Sequence, residues 1–398
     1  MSLLSIFRHF FTLGWVSFGG PAAHIGYFKT TFVDRLKWLS NEEYAQLVAL
    51  SQMLPGPGSS QVGFALGYRQ GGLGGAITAF IAFTLPSVIL MLIAASVSAQ
   101  FVEQAWLQGI IAGLKLLAVV VVADAIWGMA KQFCQRAITI VIALLSTIIM
   151  LVMSGLLSQL LVLALGAILG LLFLQQSNLM QKTQTHFNAP TAKARKRQVI
   201  SWPPLVLFAL LILGLPMAFA YWPQLNTLAI SQHFYQAGSL VFGGGHVVLP
   251  LLEQSVGATL GQDTFLTGYA LAQAVPGPMF TLATYLGYFL MPSAPILGAL
   301  LATLMVFLPG FLLVLTVINQ WQNLAAKPAL RGVLMGINAA VVGLLASAFY
   351  QPIATSAIHH WSDAIFALLG FVLLYRFRPP IGLMVAGFAL LGFLCSGL

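Results

Sequence analysis

The stretch Leu50-Ser51-Gln52-Met53-Leu54-Pro55-Gly56-Pro57 is written a second time as Leu271-Ala272-Gln273-Ala274-Val275-Pro276-Gly277-Pro278, 221 positions on from Pro55 to Pro276. A proline inside a helix removes a backbone donor and clashes with the preceding turn, so two prolines around a glycine end any regular helix. Both copies nevertheless sit in apolar sequence. Broken backbone at membrane depth is tolerated only where it is buried in protein or lines a wet cavity. The repeated break therefore points to a transport site.

The surrounding composition agrees. Of 398 residues, 59% are hydrophobic and 6% are charged, against roughly 25% charged in an ordinary soluble domain. This is the composition of a polytopic membrane protein. The net charge of +9 is read first as topology, because bases collect on the cytoplasmic side, and no nucleic-acid motif accompanies it. The first 20 residues lack a basic region ahead of the apolar run, so no removable signal peptide is expected. Cys134 and Cys395 form no CxxC pair and read as two buried apolar residues.

Outward from the first break, Asn41 to Leu54 and Gly58 to Arg69 are each too short to cross a core of roughly 30 Å at about 1.5 Å per residue, and are read as a re-entrant hairpin. Spans follow at about 74–98, 106–128, 137–154 and 157–175. A basic linker over 176–202, with Lys193, Arg195, Lys196 and Arg197, precedes one more span at 203–221. The first pattern then returns over 222–398, the counterpart of 1–175. Phe242-Gly243-Gly244-Gly245-His246 answers Phe18-Gly19-Gly20, Leu286-Gly287-Tyr288 answers Leu66-Gly67-Tyr68, and Asn338 answers Lys115.

Charge sets the relative orientation of the two repeats. Lys29, Arg35 and Lys37 have only Glu253 and Asp263 opposite them, while Glu103 is answered by Lys327 and Arg331. Each half puts its bases where the other has none, which predicts inverted repeats with a cytoplasmic linker. The alternative is parallel repeats with a different span count. The expected fold is all-α, with two inverted repeats, re-entrant helical hairpins and about nine full crossings.

In that arrangement the second half-helices, starting at Gly58-Ser59-Ser60-Gln61 and at Met279 to Leu282, point free amides at a common centre, a site suited to an anion. Gly19 and Gly20 before Pro21 read as a turn with proline at the first helical position, and Gly243, Gly244 and Gly245 let backbone approach a ligand; close helix packing is the competing use of glycine. Taken together, Phe18-Gly19-Gly20-Pro21 with His24, Gln52 with Pro55-Gly56-Pro57, Phe242 to Gly245 and Pro276-Gly277-Pro278 resemble the chromate ion transporter family in its long form, over nearly the whole chain outside 176–202. The resemblance implies a bacterial inner-membrane transporter that exports chromate, is driven by the proton gradient and confers chromate resistance.

The substrate-binding candidates are Gly19, Gly20, Gln52, Pro55, Gly56, Pro57, Gly58, Ser59, Ser60, Lys115, Gly243, Gly244, Gly245, Gln273, Pro276, Gly277, Pro278 and Thr281. Thr284 and Tyr285 extend the second group of hydroxyls, and backbone bonding within the helix is the alternative for such groups. Lys115 is the one base at bilayer depth, a countercharge for an oxyanion. His24, Asp124 and His246 are the proton-coupling candidates; a hydrogen-bonded core role competes for the two histidines, and a snorkelling or structurally paired carboxylate near the inner interface for Asp124. Arg69 would draw anions at the cytoplasmic mouth or complement a helix C-terminus. Ser40 and Glu43 form a capping box, and Asp263 takes the position of Glu42 near a second helix start. No metal, cofactor or enzymatic motif is read. The expected partners are chromate or sulfate, protons, membrane lipid and, as an open option, a second copy of the chain. A sulfate-type carrier and an uncoupled anion channel are the rival functions.

Overall fold

The computed structural model describes residues 1–101, 103–153, 155–174, 201–318 and 328–395. The basic linker up to residue 200, and Lys327, lie outside the described residues. The described chain is helical throughout, because in a bilayer an isolated helix satisfies its own backbone. Five helices are long and apolar enough to cross a membrane, which makes this an all-α polytopic membrane protein.

Helix α1 (Leu3–Val16) ends at Ser17, and α2 (Gly20–Phe28) starts after Gly19 and Gly20, both at positive φ, with Pro21 in its first turn. A π-helical segment, Lys29–Arg35, prolongs α2. The rings of Phe10, Phe28, Phe32 and Trp38 pack these arms together. Helix α3 (Asn41–Met53) opens on the expected box, with Ser40 Oγ accepting from the Glu43 amide and Glu43 Oε2 accepting from the Ser40 amide. It stops at the first Pro-Gly-Pro. Helix α4 (Gly58–Phe101) comes next, bent at Gly71 and Gly72, where Gly72 has φ 59°. The bend separates a short arm, 58–70, from a long span, 73–101.

The short arm returns toward the start of α3, since Arg69 Nη1 lies 3.2 Å from Glu43 Oε1. Gln70 also donates to the Trp38 carbonyl, and its own carbonyl accepts from the Met1 ammonium. Met1, Trp38, Glu43 and Gln70 thus gather at one end, while Ser17, His24 and Ser59 gather at the other. Both pairs, α1 with α2 and α3 with the arm, are helical hairpins.

Helices α5 (Ala105–Phe133), α6 (Ala137–Val152) and α7 (Leu156–Phe173) complete the first half. Helix α8 (Trp202–Tyr221) has no buried residue and is tied to the second half by the Tyr235 hydroxyl, which donates to the Phe208 carbonyl. The pattern is then repeated by α9 (Asn226–Leu240), α10 (Val248–Leu252), α11 (Gln262–Ala274), α12 (Leu282–Leu290), α13 (Pro295–Val317), α14 (Pro328–Ala348), α15 (Trp361–Phe377) and α16 (Ile381–Cys395).

Equivalent contacts recur in the two halves. A Cβ on Gly14 would meet the Phe83 carbonyl and Pro86 of α4; one on Gly238 would meet the Val306 carbonyl and Pro309 of α13. The last helices are exchanged: α7 packs against α14, and α16 against α5. Small residues permit this, because Gly336 faces the backbone of Gly166 and Gly170, and Gly113 faces the backbone of Phe388 and Gly392. Close approach of this kind supplies dispersion and packing where lipid offers no hydrophobic drive.

Gly336→Leu should therefore separate α14 from α7 at a cost of about 1–3 kcal/mol or more, read as a lower thermal midpoint in detergent. Gly128→Leu, at a position with no atom within 4 Å of an added Cβ, should leave the midpoint in place.

Candidate functional site

The two broken loops form the centre of the site. Gly56 (φ 120°) and Gly277 (φ 99°) hold conformations that favour glycine, and each turns its amide to the other half. The Gly56 N–H donates to the Val241 carbonyl at 2.7 Å, and the Gly277 N–H to the Ser17 carbonyl at 2.9 Å. Ser17 and Val241 each stand just ahead of a glycine motif. The loops also press on the other half's proline-bearing helix: a Cβ on Gly56 would stand 2.9 Å from Gly310 Cα, and one on Gly277 would stand 2.9 Å from Ser87 Oγ. All four matched motifs are drawn into one cluster.

The glycine motifs meet in turn. A Cβ on Gly245 would lie 3.5 Å from Pro21 Cγ and 3.3 Å from Met279 Cε, and Met279 Cε is 3.9 Å from the equivalent point on Gly20. Met279 Sδ accepts from Gln273 Nε2 at 3.2 Å. Gly243 faces Asn338, Met129 and Phe133.

His24 is fully buried. Its Nε2 lies 3.2 Å from the Ser17 carbonyl and its Nδ1 3.1 Å from Ser59 Oγ. A carbonyl only accepts, so Nε2 carries the proton and Nδ1 accepts from the Ser59 hydroxyl. The Ser17 carbonyl consequently serves both His24 and the second Pro-Gly-Pro loop. His246 is the looser counterpart, with Nδ1 2.8 Å from the Tyr269 hydroxyl and 3.5 Å from Gln273 Nε2.

Several buried polar atoms in this region have no hydrogen-bond partner among the described residues: Ser17 Oγ, Ser60 Oγ, Gln61 Oε1 and Thr84 Oγ1. Each such atom costs about 1–3 kcal/mol unless something satisfies it. Gln61 is otherwise well held, its Nε2 donating to the carbonyls of Pro55 (2.8 Å) and Gly310 (3.2 Å). Phe18, Gly19, Gln52 and Gly244 are exposed beside these buried atoms, so the cluster is reachable. Residues 17–24, 52–61, 241–246 and 273–281 include no Asp, Glu, Lys or Arg. The start of α4 thus supplies the positive end of a helix dipole with no carboxylate among these loops to oppose an anion.

Other expected residues are engaged elsewhere. Thr281 bonds back to the Pro278 carbonyl and Thr284 to Thr303, and the Tyr285 hydroxyl to Ser98; these hydroxyls take the backbone or neighbour role rather than standing free. Lys115 Nζ is 2.7 Å from Asp263 Oδ1, so its charge is met inside the protein by the residue read as a helix-start carboxylate. Arg69 is likewise held by Glu43. Asp124 is half-buried with no ion-pair partner among the described residues. The Ser17 carbonyl and the Met279 thioether escaped the reading of the sequence. Only their fixed offset from the repeated motifs marked them. Cys395, expected to be buried, is exposed.

The chromate transporter family profile matches residues 4–171 and 228–393. A chromate transport protein of Cupriavidus metallidurans is 26% identical over 98% of this chain and 92% of its own length. A chromate transport protein of Pseudomonas aeruginosa is 29% identical over 87% of this chain and 80% of its own. An uncharacterized transporter of Methanocaldococcus jannaschii is 26% identical over 94% and 90%. No solved structure matches the chain.

The Lys115 side chain is 12% exposed and that of Asp263 62%, so solvent screens the pair. A double-mutant cycle of Lys115→Ala and Asp263→Ala should return a coupling of about 0.5–1 kcal/mol in detergent; strictly additive stability losses would show that the two charges act independently.

Proposed function

The chain belongs to the chromate transporter family, whose members are transporters and not enzymes, and on that premise we propose that it exports chromate from the cytoplasm as a secondary transporter coupled to the proton gradient. The observation that carries this reading is the cluster at the two Pro-Gly-Pro loops: the N-terminus of α4, the buried Ser60 hydroxyl with no partner among the described residues, and no carboxylate. Chromate is a tetrahedral dianion and needs converging donors rather than a metal or a covalent step. The names of the Cupriavidus and Pseudomonas relatives support the substrate. Sulfate shares its shape and charge and is the natural competitor.

The proposed scaffold is a pair of inverted repeats, 1–175 and 222–398, joined by a cytoplasmic linker over 176–202 and the crossing at 203–221, with about nine full crossings in a bacterial inner membrane. The reciprocal bonds of Gly56 and Gly277 and the exchanged packing of α7 and α16 support it, since both accord with a two-fold relation between halves. The bases of the first hairpins and the acids opposite them support the inversion. In this cycle the site is exposed alternately to each side while the loops hold the ion at the midplane.

Of the proton carriers, Asp124 is preferred. His24 has both ring nitrogens bonded in a fully buried position, so protonating it breaks the Ser59 donation. Asp124 has no ion pair to break among the described residues.

Chromate should accumulate in inside-out vesicles only when a proton gradient is imposed, and excess sulfate should reduce uptake modestly. Flux that merely equilibrates would mean a channel, and flux that sulfate abolishes would mean a general oxyanion carrier. Ser60→Ala removes a buried hydroxyl that has no partner among the described residues. It should leave the thermal midpoint unchanged or raised, while weakening chromate half-saturation about tenfold, the value of one hydrogen bond to a charged ligand. A Ser60 that serves only packing would show neither change in half-saturation nor in uptake.

A further inference from the structure

Away from the loop cluster, a groove of about 850 Å³ runs between α1 and the arm formed by α2 and its π-helical extension. Its α1 wall presents Ser5, Arg8, Thr12 and Val16, a spacing of three and four that places them on one helix face. Its other wall presents Tyr27, Thr31 and Arg35, again four apart. His9 and Thr30 also line it, and no Asp or Glu does. The lining thus sets two arginines and a row of hydroxyls among the apolar side chains of Leu4, Leu13 and Val16.

Four further observations give it direction. Val16, at one end of the groove, precedes Ser17, whose carbonyl holds both His24 and the Gly277 loop. Arg8 stands eight residues before Val16, about 12 Å along the helix, toward the Met1 end where both hairpins begin. Neither Arg8 nor Arg35 has a carboxylate within 4.0 Å among the described residues, because Asp34 is taken by Lys29 at 3.2 Å and Glu43 by Arg69. The arginine pattern is not repeated in the second half: where Gly14 answers Gly238, Arg8 answers Gln232, and the arm there carries Glu253.

We propose that this groove is the cytoplasmic access path for the oxyanion, with Arg8 and Arg35 as its electrostatic guides. The inference rests on the transport reading above and moves the role of gathering substrate from Arg69, which is ion-paired, to two arginines that are not. A basic, low-dielectric groove concentrates anions and raises their on-rate, and the effect fades with salt. The same chemistry would also hold the phosphate of an anionic lipid, so the test separates the two sources.

Purified full-length protein is treated with phenylglyoxal, and modification at Arg8 and Arg35 is followed by mass spectrometry. Sulfate or chromate should slow both by about threefold or more. No protection by either anion, or protection only by phosphatidylglycerol vesicles, would overturn the proposal, the latter in favour of a lipid headgroup site. In vesicles at low ionic strength, Arg8→Gln and Arg35→Gln should each raise the half-saturating chromate concentration about threefold to tenfold, with convergence on the parent protein at high salt. Arg376→Gln, exposed on α15 and outside the groove, should not. Half-saturation unmoved by both arginine variants at every ionic strength would also overturn the proposal. Failure of the parent protein to transport any oxyanion would instead sink the functional reading, and the labelling result still decides the groove.

Discussion

Breaking a helix in apolar surroundings frees backbone amides and carbonyls that must find partners within the protein. In this chain the requirement is met across the molecule. Gly56 finds the Val241 carbonyl and Gly277 finds that of Ser17, so neither half completes its own broken loop. An amide left unpaired in such a medium costs several kcal/mol, which ties the folding of one hairpin to the presence of the other. Because each accepting carbonyl stands just before a glycine motif, the same two bonds fix where those motifs lie. The exchange of α7 and α16 obeys the same logic, since each packs on the long helix of the opposite half through glycine.

Much of this architecture was legible in the sequence. Pro55-Gly56-Pro57 and Pro276-Gly277-Pro278 marked where helices end, and Ser40 with Glu43 marked where one begins, because proline, glycine and capping residues act over a few positions. The doubled motifs showed that the halves correspond. The exchange was not legible: Gly113, Gly166, Gly336 and Gly392 show that something packs closely there but not what. Nor was the role of Ser17, since its working atom is a carbonyl that every residue possesses. The ion pairs lay beyond reach for another reason. Lys115 and Asp263 are 148 positions apart, and isolated charges in a chain with few of them offer several equally plausible partners.

The scaffold is repeated, but its polar chemistry is not. Gly58, at the opening of α4, is answered by Met279, whose thioether sits between Gly20 and Gly245. The consequence is local: α4 begins as a regular helix at Gly58, whereas Met279–Thr281 forms a 3-10 turn before α12. The first loop therefore offers the unpaired Ser60 hydroxyl, which can donate to an anion, while Thr281 is spent on its own turn. The Gln61 Oε1 only accepts and adds nothing for an anion. An anion held near the two loops would be bound mainly by the first.

The same inequality extends to the charges. The counterpart of Lys115–Asp263 is Asn338 with Glu42, and the counterpart of Arg69–Glu43 is Phe289 with Thr264, neither of which forms an ion pair. In an alternating-access cycle, a perfectly two-fold protein would populate its inward and outward states equally. In such a cycle, parting α11 from α5 would break the Lys115–Asp263 pair, and no ion pair stands at the mirrored position among the described residues. With one partner largely exposed, the pair contributes at most about 1 kcal/mol, a bias of about fivefold between states. On the alternating-access reading proposed above, that is enough to set a resting orientation and small enough for a bound anion to reverse.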